Sequence, residues 1–457
     1  MHRIARLPLA ATPSTSRLFR TRALAALCAG AVLGAGMTAT APAQAADPGW
    51  GPVQQIPPDG VHELPRTGVF PDGTLVAVWE DDDTGDQDDL TRIFRSTRAP
   101  GADWSAPVAF PVEDVWNLES IATLSDGGIQ IAYGWHPSSS AIKHRVRIWN
   151  ADGTVEAVGL GNTSDDYTLN GDAEGDVVAE LLGSYDTQDG FDHLLRYYDG
   201  TAWRGMPNVA ADPRDRFVTG PGESVWMAGY DQSTSKLRVR SWAPEMKSWK
   251  LEWSRDYPSG HLRKPLVDAL ALAVGAAGHV TLAWAEREIG RTGDTIRVVR
   301  REGRSGWTKP ATLQRVPAGR HKVITGPVVA AAGTRSEVAW TVPGKKAEWR
   351  VVRVAALAGD GPDVRRLAST RSFSGFRDLS LDVDLRGDGD ALVSYLKRRG
   401  SRRQVVGWFG APDALQGTTL LKNAGIMIGD SAFLVPGVAA VISSVGYYAL
   451  ASRVLEE

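Results

Sequence analysis

The chain has 457 residues, 51 basic and 53 acidic side chains, and a formal net charge of −2. That balance, with 43% hydrophobic residues, excludes a disordered or collagen-like chain and gives no overall basic bias toward nucleic acid. The single cysteine, Cys28, excludes a disulfide framework and any cysteine-based metal site in the region that folds.

Residues 1–45 read as a signal peptide rather than as part of the fold. Arg17, Arg20 and Arg22 form a basic stretch, 23–41 is an apolar run rich in Ala and Gly, and the Ala-Pro-Ala-Gln-Ala ending at Ala45 supplies a cleavage pattern. An uncleaved N-terminal anchor is the alternative. A secreted, extracellular protein beginning at Ala46 follows, with no thiol left after cleavage. The charge of that mature chain is uneven: residues 46–200 carry 28 acidic and 8 basic side chains, residues 201–457 carry 25 and 38. Partner choice, head-to-tail association and a merely solvated surface are all compatible with this asymmetry.

Residues 46–457 repeat. An apolar strand after a Gly-containing turn recurs as 74–79, 129–133, 176–181, 224–230, 279–284, 336–340, 391–395 and 438–443, at a period of roughly 50 residues. Each is followed by a polar loop and a strand in which apolar residues alternate with Arg or Thr, such as 143–149, 236–242 and 295–301, implying one wet face. A turn, often a Trp, and a short strand then complete the unit. A unit of four short strands predicts an all-β fold, a β-propeller of about eight four-stranded blades, with seven as the alternative. The last unit, 430–455, has no fourth strand. Residues 50–56 match 104–110 in pattern, so the N-terminal strand is expected to pair with the C-terminal blade and close the ring.

Tryptophan recurs at equivalent places: Trp79, Trp226, Trp284 and Trp340 on second strands, Trp149, Trp242 and Trp408 ending third strands, and Trp50, Trp104, Trp203, Trp249 and Trp307 opening fourth strands. Such recurrence predicts packing between blades rather than a ligand platform. One stretch competes with the repeat. Residues 431–452 are uncharged and long enough to span a bilayer, so a C-terminally anchored surface interaction protein is a third reading. Pro436-Gly437 at the turn position favours a blade.

The corner 95–110 carries Ser96, Gly101 and Trp104. This resembles a degenerate Asp-box of the sialidase-type propellers, whose box runs Ser-x-Asp-x-Gly-x-x-Trp. The string at 303–307 keeps Gly303 and Trp307. The resemblance implies a propeller and, in an active member, three carboxylate-clamping arginines, a Tyr–Glu nucleophile pair and an Asp acid. This chain departs from it: one residue is inserted in the box, the box Asp is missing, and the Arg-Ile-Pro signature is replaced by Arg92-Ile93-Phe94. The resemblance therefore covers the style of the repeat and not the catalytic set.

No catalytic residue is assigned from sequence. The seven histidines of the mature chain, His62, His136, His144, His193, His261, His279 and His321, show no zinc spacing, and there is no nucleophile elbow or phosphate-binding glycine loop. No cofactor is expected. The acidic runs 80–89 and 382–390 hold the oxygen donors Ca²⁺ would need, with solvated turns as the alternative. The basic cluster 397–403, with a looser set at Arg287, Arg291, Arg300, Arg301 and Arg304, suits an extracellular anionic polysaccharide better than nucleic acid. The resulting expectation is a secreted, non-catalytic propeller binding an extracellular ligand, a glycan or cell-envelope polymer. The rival is a carbohydrate-active enzyme, hydrolase or lyase, working in the central channel.

Overall fold

In a computed structural model, the described residues lie between 54 and 455, omitting several connections of which 82–90, 182–191, 317–326, 372–380 and 423–431 are the longest. Residues 1–45, read from sequence as a signal peptide, and Trp50 lie outside them.

Each repeat folds as an antiparallel meander. The first sheet runs His62–Val69, Leu75–Asp81, Arg92–Arg98 and Val108–Ala109 in that order. The second runs Val115–Thr123, Ile129–Trp135, Lys143–Trp149 and Val155–Ala157. The third spans 167–210, the fourth 216–256, the fifth 263–316, the sixth 328–371 and the seventh 382–422, each built in the same order, except that in the third Val209–Ala210 is a fifth strand that also pairs with Asp192–Tyr198. The last sheet joins Ala432–Val435, Val438–Val445 and Ala449–Leu455 to Gln54–Ile56, and Gln54 lies opposite Ser452. Among the described residues the strands thus assort into eight sheets.

The sheets form a ring. First strands of successive sheets touch one another from His62–Val69 round to Ala432–Val435, and His62–Val69 also meets Val438–Val445 of the last sheet. This is the arrangement of an all-β propeller. Pairing of both chain ends within one sheet leaves no open strand edge at the seam. Polar contacts lock the seam: Gln54 accepts from Arg98 Nε at 3.0 Å and donates to Asp103 Oδ1 at 3.0 Å. Ala432–Val435, Val438–Val445 and Ala449–Leu455 are strands of this sheet, and among the described residues no helix is long and apolar enough to cross a membrane.

The core explains the period. Second strands are sandwiched between neighbouring sheets, so they read as nearly continuous apolar runs: Leu75 to Trp79 are all at most 1% exposed. Core clusters straddle the seams between sheets. Phe70, Val76, Val78, Ile93 and Phe110 of the first sheet pack on Ile129, Ile131, Tyr133 and Trp149 of the second. Trp79, Trp149, Trp284 and Trp340 are fully buried, and Trp203, Trp249 and Trp307 lie partly buried against the same clusters. The recurring tryptophans are packing.

The Gly-containing turns have a shared chemistry. In Asp72-Gly73-Thr74, Asp152-Gly153-Thr154 and Asp199-Gly200-Thr201 the carboxylate accepts from the threonine N–H at 2.8, 2.9 and 3.0 Å. The central glycines take φ of 82°, 93° and 83°, where a side chain would be strained.

Candidate functional site

The connections between second and third strands share one face of the ring, and the basic cluster lies there. The expected loop at 397–403 is instead a tight hairpin. Ala391–Arg399 and Arg402–Gly410 pair to their ends, with Arg398 opposite Arg403 and Arg399 opposite Arg402. Only residues 400 and 401 lie between the strands. Backbone register sets the four arginines opposite one another in two pairs. Like charges directly opposite each other on a sheet are destabilising.

The looser basic set does not converge. Arg287 pairs with Asp294, Nε to Oδ1 at 3.1 Å. Arg300 is buried and donates to the Thr334 carbonyl of the next sheet at 2.9 Å. Arg301 lies 5.1 Å over the Trp226 ring. Arg291 and Arg304 lie outside the described residues. The three described members bind the protein to itself.

A second feature of the same face belongs to the second sheet. Its first strand, Val115–Thr123, carries register shifts at Val115/Asn117 and Leu118/Ser120. They displace Trp116 and Glu119 from the regular alternation, as bulges do. Glu119 pairs with His144 Nδ1 and accepts the Tyr167 N–H of the third sheet at 2.9 Å. Trp116 and His136 rings lie 5.7 Å apart, and the Arg145 guanidinium sits 3.3 Å over Trp135. Asp114, at φ 59°, accepts the His136 N–H through its carbonyl at 2.9 Å. Neither the bulges nor this grouping is legible in the repeat pattern.

The Tyr–Glu pair between the fourth and fifth sheets shows why pairing alone is not a site. Glu286 is fully buried and accepts from Tyr257 Oη at 2.7 Å, Trp284 Nε1 at 3.1 Å and Arg297 Nε at 2.9 Å. Arg255 approaches to 3.3 Å. Burial pushes the Glu286 carboxyl up, but the Tyr257 hydroxyl and the two arginines outweigh it and hold it below its usual range. Burial and the Glu286 charge hold the Tyr257 hydroxyl far above its own. A phenol that will not ionise, enclosed by donors, is a structural tie between the fourth and fifth sheets.

The corner at 95–110 is likewise structural. Ser96 Oγ donates to the Ser105 carbonyl at 2.7 Å, Gly101 takes φ 71°, and Trp104 packs with Ile56, Leu75 and Trp79. At the other corner Thr308 Oγ1 accepts the Arg300 N–H at 3.1 Å beside Trp307. An open cleft of about 750 Å³ lies beside the first corner, lined by Phe70, Thr74, Arg95, Val108 and Asp126 among others. Its arginine is already committed, donating to the carbonyls of Trp149, Asn150 and Ala151 at 3.3, 2.7 and 3.1 Å.

For the acidic runs, Glu80 accepts the Leu118 N–H of the second sheet, and 82–90 lie outside the described residues. Asp382 and Asp384 share one face of Asp382–Leu385, and Asp382 Oδ1 accepts the Val383 N–H at 2.9 Å. Among the described residues no group of three or more His, Asp or Glu could hold a metal ion. His261 and His321 lie outside them. His279 Nδ1 is buried without a hydrogen-bond partner among them.

The sheet order and its closure define the class: this is a β-propeller. No family model matches the chain, and no curated protein matches it. Among solved structures it is similar to the WD40 domain of SCAP from fission yeast, at 9% identity over 89% of this chain and 98% of that one, with a TM-score of 0.48. It is similar to the β-propeller domain of the Trilobed protease from Pyrococcus furiosus, at 9% identity over 78% and 98%, with a TM-score of 0.42. It is also similar to a mutant of the Aleuria aurantia lectin in complex with a fucosyl disaccharide, at 11% identity over 71% and 100%, with a TM-score of 0.33.

Proposed function

We propose that the protein is a secreted, non-catalytic propeller that binds an extracellular anionic polysaccharide or cell-envelope polymer through one face of the ring. The observation that carries this reading is the hairpin 391–410, whose register sets Arg398 against Arg403 and Arg399 against Arg402. Opposed cations on a sheet repel each other, and an anion lying across them relieves that repulsion. Arginine suits carboxylate or sulfate groups because its planar fork binds them in pairs. The export signal supports placing the ligand outside the cell, and no cofactor is invoked. Counting each sheet as one blade gives an eight-bladed ring. The seven-bladed alternative requires that one of the eight not be a blade in its own right.

Purified protein is passed over immobilised acidic and neutral polysaccharides while reducing ends and unsaturated products are followed. Retention on acidic polymers alone, weakening as salt rises, and without products is the expected result. Changing Arg398, Arg399, Arg402 and Arg403 together to Gln should weaken retention by about tenfold or more, since several charge-assisted contacts are lost at once. Product release from any polymer would replace this reading with a carbohydrate-active enzyme. Equal retention of the quadruple variant would move the binding site off the hairpin.

A further inference from the structure

We infer that the bulged rim of the second sheet is a stacking subsite for a pyranose ring of the bound glycan, with Trp116 and His136 as the platform. This rests on the glycan reading above, but on different residues in a different sheet. Four observations converge. Trp116 and His136 are half-buried, with ring centroids 5.7 Å apart and planes 38° apart, so they form a shallow angled surface rather than a closed core contact. Among the described residues neither ring belongs to a core cluster. The backbone beneath them is specially shaped: a register shift brackets Trp116, and Asp114 adopts φ 59° without being glycine. Bulges and left-handed non-glycine residues cost energy and collect where side chains are re-aimed for function.

The surroundings set the chemistry. Beside the platform the Arg145 guanidinium lies 3.3 Å over the half-buried Trp135 ring, and exposed Lys143 lies opposite Trp135 in the sheet. Behind it, the Glu119–His144 pair and the Glu119 bond to the Tyr167 N–H tie the strand to the third sheet. The platform is therefore rigid before a ligand arrives, which lowers the ordering cost of binding. A shallow aromatic surface flanked by fixed polar donors fits a pyranose, which offers an apolar C–H face and hydroxyls at its edge. A neutral sugar would use the platform alone; a uronate would also engage Arg145 or Lys143.

The test titrates the full mature protein with short oligosaccharides in two arms, neutral hexoses and uronates, following tryptophan fluorescence and heat. Saturable binding in either arm is expected, weakened about tenfold by Trp116→Ala and by His136→Ala, the size of a lost aromatic contact. Melting should be unchanged in both variants, because neither ring belongs to a core cluster. The hairpin quadruple variant should keep its affinity for neutral short oligosaccharides while losing retention on long acidic polymers. Wild-type affinity in both single variants overturns the subsite and leaves the polysaccharide reading standing. Retention of polymers with no short-oligosaccharide binding overturns it too. Loss of all glycan binding in the wild type overturns both.

Discussion

Replacing Glu286 by alanine should destabilise the protein by about 3–5 kcal/mol, the typical cost of removing one partner from a buried ionic group. The carboxylate is fully buried and serves four donors from two sheets: Tyr257, Trp284, Arg297 and Arg255. Truncation removes the acceptor of the Tyr257 hydroxyl and the countercharge of both arginines. Buried groups left unmatched forfeit their full desolvation cost. Glutamine should recover only part of the loss, since it can accept from Tyr257 but supplies no charge to Arg297. Sign matters for the pH dependence. The folded carboxyl is held below its unfolded value, so its contribution is complete at neutral pH and is lost as pH falls through the folded value. The alanine variant should therefore show a shallower acid transition than the wild type. Chemical denaturation at pH 7 and near pH 4 would measure both effects, and a loss under 1 kcal/mol at pH 7 would show that the cluster is a surface-like contact despite its burial.

Much of this architecture is legible in the sequence because a propeller repeats its physics. The run Leu75 to Trp79 is apolar without alternation since both faces are covered, and that pattern returns in Ile129–Trp135 and Ser224–Asp231. The match of 50–56 to 104–110 indicates how the ends meet, and Gln54–Ile56 pairs as expected with Ala449–Leu455. Site chemistry is less legible because it depends on departures from the repeat. The bulges that aim Trp116 and Glu119 change register without changing residue type in any recognisable way. Charge clustering misleads in both directions. Arg287, Arg300 and Arg301 are near in sequence, yet an ion pair, a carbonyl and an aromatic ring consume them separately. Arg398 and Arg403 gain their opposition only from pairing of the strands that carry them.

The sixth sheet carries the opposite electrostatic situation to Glu286, and its expected signature is alkaline. Glu337 is 1% exposed, and neither carboxylate oxygen has a hydrogen-bond partner among the described residues. Burial raises its pKa to about 8, with Arg365 opposing and Asp363 reinforcing the shift. Arg365 is itself held by Asp363, Nε to Oδ2 at 2.8 Å, so its charge is already partly answered. Below pH 4.5 the group is neutral whether the chain is folded or not. Between 4.5 and about 8 the unfolded chain releases the proton while the folded one keeps it, so stability falls as pH rises. Above that window the loss is complete, and a difference of this size corresponds to roughly 5 kcal/mol. Glu337→Gln keeps the shape of the protonated acid and cannot ionise. The variant should match the wild type near pH 4.5, exceed it increasingly toward pH 9, and lack the wild-type slope between them. Denaturation midpoints across that range test this directly. Parallel curves would mean that the carboxylate finds a countercharge in solution.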